Sequence, residues 1–375
     1  MRILALDIGA GTEDVLLYDD EKENIENCVK MILPSPSQVY AEKVREATRQ
    51  GRDLYIKGDI IGGGAFAWAL RDHIKQGLRV AMTKNSAYSI RNDLDEVRKL
   101  GIEVVQNGFH EKPRTETLAI EEVNIEKLKT FLADFHEDLS DIDVVAVAVQ
   151  DHGVSRKGTS NRRLRIQKLR ELLESDPRPE SLAFMEDEVP SCFLRMKSAI
   201  QASRRQLPRA EVLVMDTAPA AILGSTRDKT ARAYSSFLAI NIGNGHTMAA
   251  LIHKGEVTAV MEHHTHLLNP ERIERLLVDF ADGNLTDEKV FDDGGHGLFF
   301  LEPPSGFSQI EKIVATGPNR NLLTEMNLQV HFAAPGGDVM MTGPIGLVEA
   351  TKTKKRDTLR KRGAQGEHAG LDVQS

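Results

Sequence analysis

Cysteine is almost missing from this sequence. Cys28 and Cys192 are the only two in 375 residues, and they stand too far apart to form a local metal motif. That excludes a disulfide scaffold, a zinc finger and a cysteine-ligated iron–sulfur cluster. Aromatic residues are scarce as well, at 5% with a single Trp68, which leaves little for single-stranded nucleic acid to stack on. No apolar stretch approaches the ~20 residues of a membrane-spanning helix, Val144–Val149 being typical of the longest. Positive charge is in deficit too. A net charge of −8 argues against general nucleic-acid binding, a local basic patch aside. Met1 and Arg2 run straight into the strand-like Ile3-Leu4-Ala5-Leu6 without a signal-peptide pattern, so the expectation is a cytoplasmic protein with no membrane partner.

What is present is enough apolar residue, 41% against 28% charged, for an ordinary globular chain, and the length favours two domains over one core. Strand-like and helix-like segments alternate, as in an α/β fold. Arg2–Asp7 and Glu13–Tyr18 read as strands around a turn. Gly62-Gly63-Gly64 opens a helix over Ala65–Gln76, and a second helix over about Ile90–Leu100 turns Leu94, Val97 and Leu100 to one face. Asp143–Val149 is apolar without a break after its first residue, which suits a strand covered on both sides. Helices are expected over Asn161–Glu174, Pro190–Gln206 and the segment begun by Asn269-Pro270, an N-cap followed by proline at the first helical position. The final residues, Lys352–Ser375, carry seven basic and few apolar side chains and read as a disordered tail.

A repeat carries most of the information. Ile3–Leu17 laid over Phe237–Leu251 gives six identities in fifteen positions, among them Gly9/Gly243 and Gly11/Gly245. Each copy is an apolar strand, a polar residue at its end (Asp7 or Asn241), Gly-x-Gly, and a second strand; the hydroxyls Thr12 and Thr247 follow the glycines. Glycine permits positive φ and removes the Cβ that blocks an approaching ligand, and successive exposed N–H groups form a concavity for anions. A pair of plain glycine hairpins is the simpler alternative. The shared pattern favours two turns that clamp a polyphosphate from opposite sides.

Asp7-Ile8-Gly9-Ala10-Gly11-Thr12 and Asn241-Ile242-Gly243-Asn244-Gly245-His246-Thr247 resemble the two phosphate loops of the actin, heat-shock-70 and sugar-kinase superfamily. Val145–Gly153 resembles its first connecting segment, Asp216–Ala221 a Pro-Ala-Ala helix start, Ile313–Asn319 with Gly317 the adenosine motif, and Asp338–Ala350 the closing helix. The resemblance implies a two-lobed, ribonuclease-H-like α/β fold with a nucleotide cleft, ATP and Mg²⁺ as cofactors, and Asp7 as a magnesium ligand through water. It implies a first lobe over 1–150, with helix 338–351 packed back on it, and a second over 151–337. More narrowly, the chain resembles a prokaryotic family labelled "putative pyruvate formate-lyase activating enzyme". That label implies radical chemistry on a three-cysteine motif, which this sequence lacks, so a radical activity is rejected.

The residues themselves qualify the superfamily picture. Asn241 stands where the superfamily has an aspartate, and an amide cannot act as a carboxylate base. Gln150 and Asp151, at the end of a buried strand, are the candidate replacements; Asp216 reads as a helix cap. A second cluster, His263, His264 and His296 with nearby aspartates, offers a metal site, a substrate contact at the cleft rim, or ordinary loop polarity. Arg156–Arg170 holds seven basic residues and no acid, either an anion-attracting patch or, more simply, a solvated helix face. Three functions stay open: an ATP-dependent phosphotransferase or ATPase acting on a small polar molecule, a nucleotide-gated switch with little catalysis, and a histidine-centred metal enzyme.

Overall fold

The computed structural model describes residues 1–106, 113–155 and 159–369, with side chains as far as Arg360. Two six-stranded sheets of matching order make the body of the molecule. The first runs Val29–Pro34, Thr12–Asp19, Arg2–Ile8, Val144–Val149, Glu211–Met215, Phe184–Met185. The second runs Gly297–Phe300, Glu256–His264, His246–His253, Ser236–Ile242, Lys312–Thr316, Val330–Phe332. In each, an antiparallel three-stranded meander is continued by two parallel neighbours, one beyond the other. The offset of the sequence repeat survives in the pairing: Asp7 faces Asp14, and Asn241 faces Met248. This is a mixed α/β fold in which one strand pattern is used twice, once in each lobe.

The physical causes are local. Val144–Val149 is buried along its whole length, because helices cover both faces of a strand in mid-sheet. Glu211–Met215 lies beside it in parallel register. The first sheet therefore takes two strands from beyond residue 150, and the lobe boundary expected there falls inside the sheet's chain path. A smaller parallel sheet is inserted into the first lobe, with Asp53–Gly58 and Val80–Thr83 at its centre and Ile102–Val105 and Thr115–Ile120 outside. It has its own core, built from Tyr40, Ile56, Phe66, Leu70 and Met82.

The closing helix begins at Thr342 and packs on Thr217–Ser225 and back onto the first sheet. Gly224 and Gly346 allow this: a Cβ on either would strike the backbone of the opposite helix, at Thr342 or Ala220. The helix does not stop near residue 351. It continues through Ala369, so the tail expected from Lys352 onward is ordered over its first part. Thr351 and Thr353 are buried, and Lys354 pairs with Glu188 at 2.7 Å. Long basic side chains lie along the first lobe by their stems and reach its acids, which the composition alone does not show. Residues 370–375 lie outside the described residues. Among the described residues no helix is long and apolar enough to cross a membrane.

Candidate functional site

The two glycine turns are built alike. Gly9 N–H donates to Thr12 O at 2.9 Å, and Gly243 N–H donates to His246 O at 2.9 Å. Both turns border one cleft of ≈ 810 Å³ between the lobes. None of the four glycines has positive φ, so backbone freedom is not why they are glycine. Close approach is the reason at two of them. A Cβ on Gly11 would lie 2.5 Å from the Asn244 amide of the other turn, and one on Gly243 would lie 2.9 Å from His246 O. At Gly9 and Gly245 a Cβ meets no backbone closer than 3.4 Å, and both residues line the cleft. They keep its floor clear.

The repeat offset pairs Thr12 with His246, not with Thr247. Thr12 and His246 both line the cleft. Thr247 is buried in the sheet, its hydroxyl 3.0 Å from that of Thr265. Strand alternation turns it away, which corrects its assignment to the ligand. Gly317, at φ +100°, lies against Ile242 O and the Asn241 amide. The next residue but one, Asn319, donates from Nδ2 to Gly243 O at 3.0 Å. This segment braces the second turn, and only Pro318 of it lines the cleft.

Asp7 ends the first strand at the cleft, and its Oδ1 is buried with no hydrogen-bond partner. Burial, then the neighbouring Asp14 and Asp216 carboxylates, holds Asp7 well above the usual carboxylate range. An unpartnered carboxylate oxygen is a fit for a hydrated magnesium ion. Asp14 is a second one, with Oδ1 unpartnered; burial pushes it up to about 7. Asp14 carries no motif of its own, and its place opposite Asp7 on the returning strand follows only from the hairpin register.

Gln150 lines the cleft, with Nε2 2.7 Å from His246 Nδ1. Asp151 is occupied elsewhere. Its Oδ2 accepts from the backbone N–H groups of Arg195 at 2.8 Å and Met196 at 3.1 Å, and its Oδ1 from Gly153 N–H at 2.9 Å. Asp151 anchors the start of helix Leu194–Gln206 and holds its own loop, so both oxygens are engaged and the expected base role is withdrawn. Asp216 caps helix Thr217–Ser225 through Ala218 N–H. It also pairs with the buried Arg165, Nη2 to Oδ1 at 2.9 Å. Arg165 reaches across the lobes to Glu262 as well, at 2.6 and 2.9 Å. Burial alone would raise Glu262, but Arg165 holds it well below the usual range.

Among the described residues the basic stretch is therefore no free patch. Arg165 is buried, Arg163 pairs with Asp287, Lys168 with Glu171 and Arg170 with Glu174, while Arg162 donates to Gly295 O. Arg156 and Lys157 lie outside the described residues.

Histidines gather at the cleft wall, though not as the spacing implied. His263 faces away: its Nε2 lies 3.2 Å from Asp293, which also pairs with Arg272. His264 and His296 do meet, with ring centroids 4.9 Å apart. Joining them are His152, after the buried strand, and His246, in the second turn; the His246 and His296 centroids are 4.7 Å apart, those of His152 and His296 5.1 Å. Burial, then Arg165, pushes His152 down to about 3. Burial also holds His246 well below its usual value, against the pull of Glu262. His152 and His246 come from segments about a hundred residues apart, and nothing in local spacing links them.

Residues 61–322 match the model of the family described as "Putative pyruvate format-lyase activating enzyme (DUF1786)". The chain belongs to this family. The family's label does not carry its chemistry here: Cys28 and Cys192 are the only thiols, and they pack in different cores on the two faces of the first sheet. No curated protein matches this family member in sequence. Its structure is similar to those of the PilM–PilN type IV pilus biogenesis complex (12% identity, 94% of this chain and 98% of that one, TM-score 0.41) and the ethanolamine utilization protein EutJ from Carboxydothermus hydrogenoformans (10%, 92% and 89%, 0.32). A protein from Listeria monocytogenes described as "a putative N-acetylmannosamine kinase" is similar at 10% identity over 95% of this chain and all of the other, with a TM-score of 0.36.

Proposed function

We propose that the cleft binds ATP with Mg²⁺ and that the protein is an ATP-dependent phosphotransferase or ATPase acting on a small polar substrate. One observation carries the reading: two turns closed by the same backbone hydrogen bond, one from each lobe, border a single cleft with the unpartnered Oδ1 of Asp7 beside the first. Successive N–H groups at such turns suit the phosphates. The cleft volume, ≈ 810 Å³, lies in the range of small-molecule sites. Magnesium, held through water by Asp7, would neutralise phosphate charge. Gly62–Gly64 and Asn92 line the part contributed by the inserted sheet's segment, which we assign to the acceptor.

The carboxylates narrow the chemistry. Asn241 cannot take a proton, and the Asp151 oxygens are engaged. Asp14 is the remaining carboxylate of the cleft with an unpartnered oxygen, and we assign proton transfer to it. The Asn241 amide also favours a second reading, a nucleotide-gated switch with slow hydrolysis.

Thermal shift with Mg–ATP, Mg–ADP and each component alone tests binding. At about 100 times Kd, ligand adds ~2.7 kcal/mol of stability, and no shift with any nucleotide sinks the proposal. ATP turnover with small polar metabolites added then separates the readings. Acceleration by a metabolite supports the transferase, and a rate raised only by a protein partner supports the switch.

A further inference from the structure

We propose that His152, His246 and His296 hold one divalent transition-metal ion of the zinc class, with its open coordination position facing the cleft. The site stands on geometry separate from the nucleotide proposal. One ligand nitrogen from each of the three rings lies within 4.8 Å of the others. Three imidazoles around an open position form the ligand set of catalytic zinc sites, and nitrogen donors favour zinc, cobalt, nickel or iron over magnesium or calcium. With metal–nitrogen bonds of ~2.0–2.1 Å, binding draws the rings together by roughly an ångström.

The buried polar atoms point the same way. His246 Nε2 and both ring nitrogens of His296 are buried without a hydrogen-bond partner. Such orphans cost stability unless something accepts their lone pairs. The surroundings fix which nitrogen is free. His246 Nδ1 is 2.7 Å from Gln150 Nε2; turning that amide over, so that its oxygen accepts from Nδ1–H, leaves the Nε2 lone pair for the ion. His296 Nδ1 lies 2.8 Å from Glu262 Oε2, out of line for a hydrogen bond as it stands, but a small ring rotation makes the carboxylate–histidine pair that supports metal ligands. Arg165 does not repel a cation on balance, because Asp216 and Glu262 both pair with it and leave the trio one negative charge in excess.

Position supplies the function. His152 and His246 line the cleft, and His296 lies behind them, fully buried. His246 belongs to the second glycine turn, so the open position faces the phosphate-binding end. His264 stands beside the trio, with its centroid 4.8 Å from that of His246, and its Nδ1 is 2.7 Å from Gly294 O. It is held by that backbone contact outside the ligand trio and leaves the fourth position open. The two lobes supply different ligands, so the ion ties lobe closure to binding.

The test uses full-length protein without a polyhistidine tag, stripped with chelator and reloaded with ZnCl₂ or CoCl₂ alone. One equivalent of metal, a raised melting temperature and a zinc-edge absorption spectrum with a shell of imidazole nitrogens are expected. His296→Ala and His152→Ala should each weaken zinc at least ~100-fold, with His263→Asn near wild type. Substoichiometric zinc in the wild type, a first shell without imidazole, or one equivalent retained when all three histidines are alanine overturns the proposal. The wild-type spectrum decides even if a variant fails to fold. Stabilisation of the stripped protein by inorganic phosphate, with no response to metal, would make the cluster an anion site instead and also overturn it.

Discussion

The carboxylate of Asp7 rests against Gly343, so the end of the first strand and the start of the closing helix meet at the cleft. Any Cβ at Gly343 would collide with Asp7 Oδ2. Helix propensity favours alanine by up to about 1 kcal/mol, so Gly343→Ala should fold and yet displace the carboxylate. We expect Mg–ATP affinity to fall at least tenfold, about 1.4 kcal/mol, in calorimetric titration. Unchanged affinity would remove Asp7 from the magnesium site.

The turns separate fold from ligand. A Cβ on Gly9 meets Thr12 O only at 3.4 Å, whereas at Gly243 it meets backbone at 2.9 Å. Gly9→Val should therefore keep most of its stability and lose nucleotide binding, while Gly243→Val loses both. Thr247→Val, buried beside Thr265, should bind nucleotide as the wild type does. Thermal shift with and without Mg–ATP checks all three, and binding by Gly9→Val would contradict the cleft assignment.

Arg165 is 2% exposed and holds Asp216 and Glu262 together across the lobes. Arg165→Met leaves two buried carboxylates without their cation. Breaking a buried pair in this way costs about 3–5 kcal/mol, to be read as a shift in the urea midpoint. A loss below about 1 kcal/mol would mean that water or protons compensate the carboxylates readily.

Glu13 gives a pH signature. Burial, then Glu122 and Asp14, raises it to about 8, with Lys127 opposing. The folded state keeps this proton to higher pH than the unfolded chain does. Its contribution is complete below the ordinary value of 4.5 and is lost as pH rises to about 8. Glu13→Gln should remove up to about 1.4 kcal/mol per pH unit of that slope. Melting temperatures across the window check it, and a variant as steep as the wild type would refute the assignment.

The sequence by itself determined the paired turns, the buried strand Val144–Val149 and the cap at Asp216, because each is written in neighbouring residues: a strand period, a Gly-x-Gly, an acid before a helix. It also placed Asp7 and Gln150 at strand ends. What a side chain does there is settled by distant partners, and only the tertiary structure decided those. Asp151 lost its free oxygens to amides at residues 153, 195 and 196, and Thr247 turned inward because a pleated strand alternates. His263 pointed toward Asp293 while His152 and His246 took its place. The sheet followed strand pairing across long loops and carried the first lobe past residue 150. Local pattern fixes an element and its faces; which charges and rings meet depends on packing between elements that the chain brings together only when it folds.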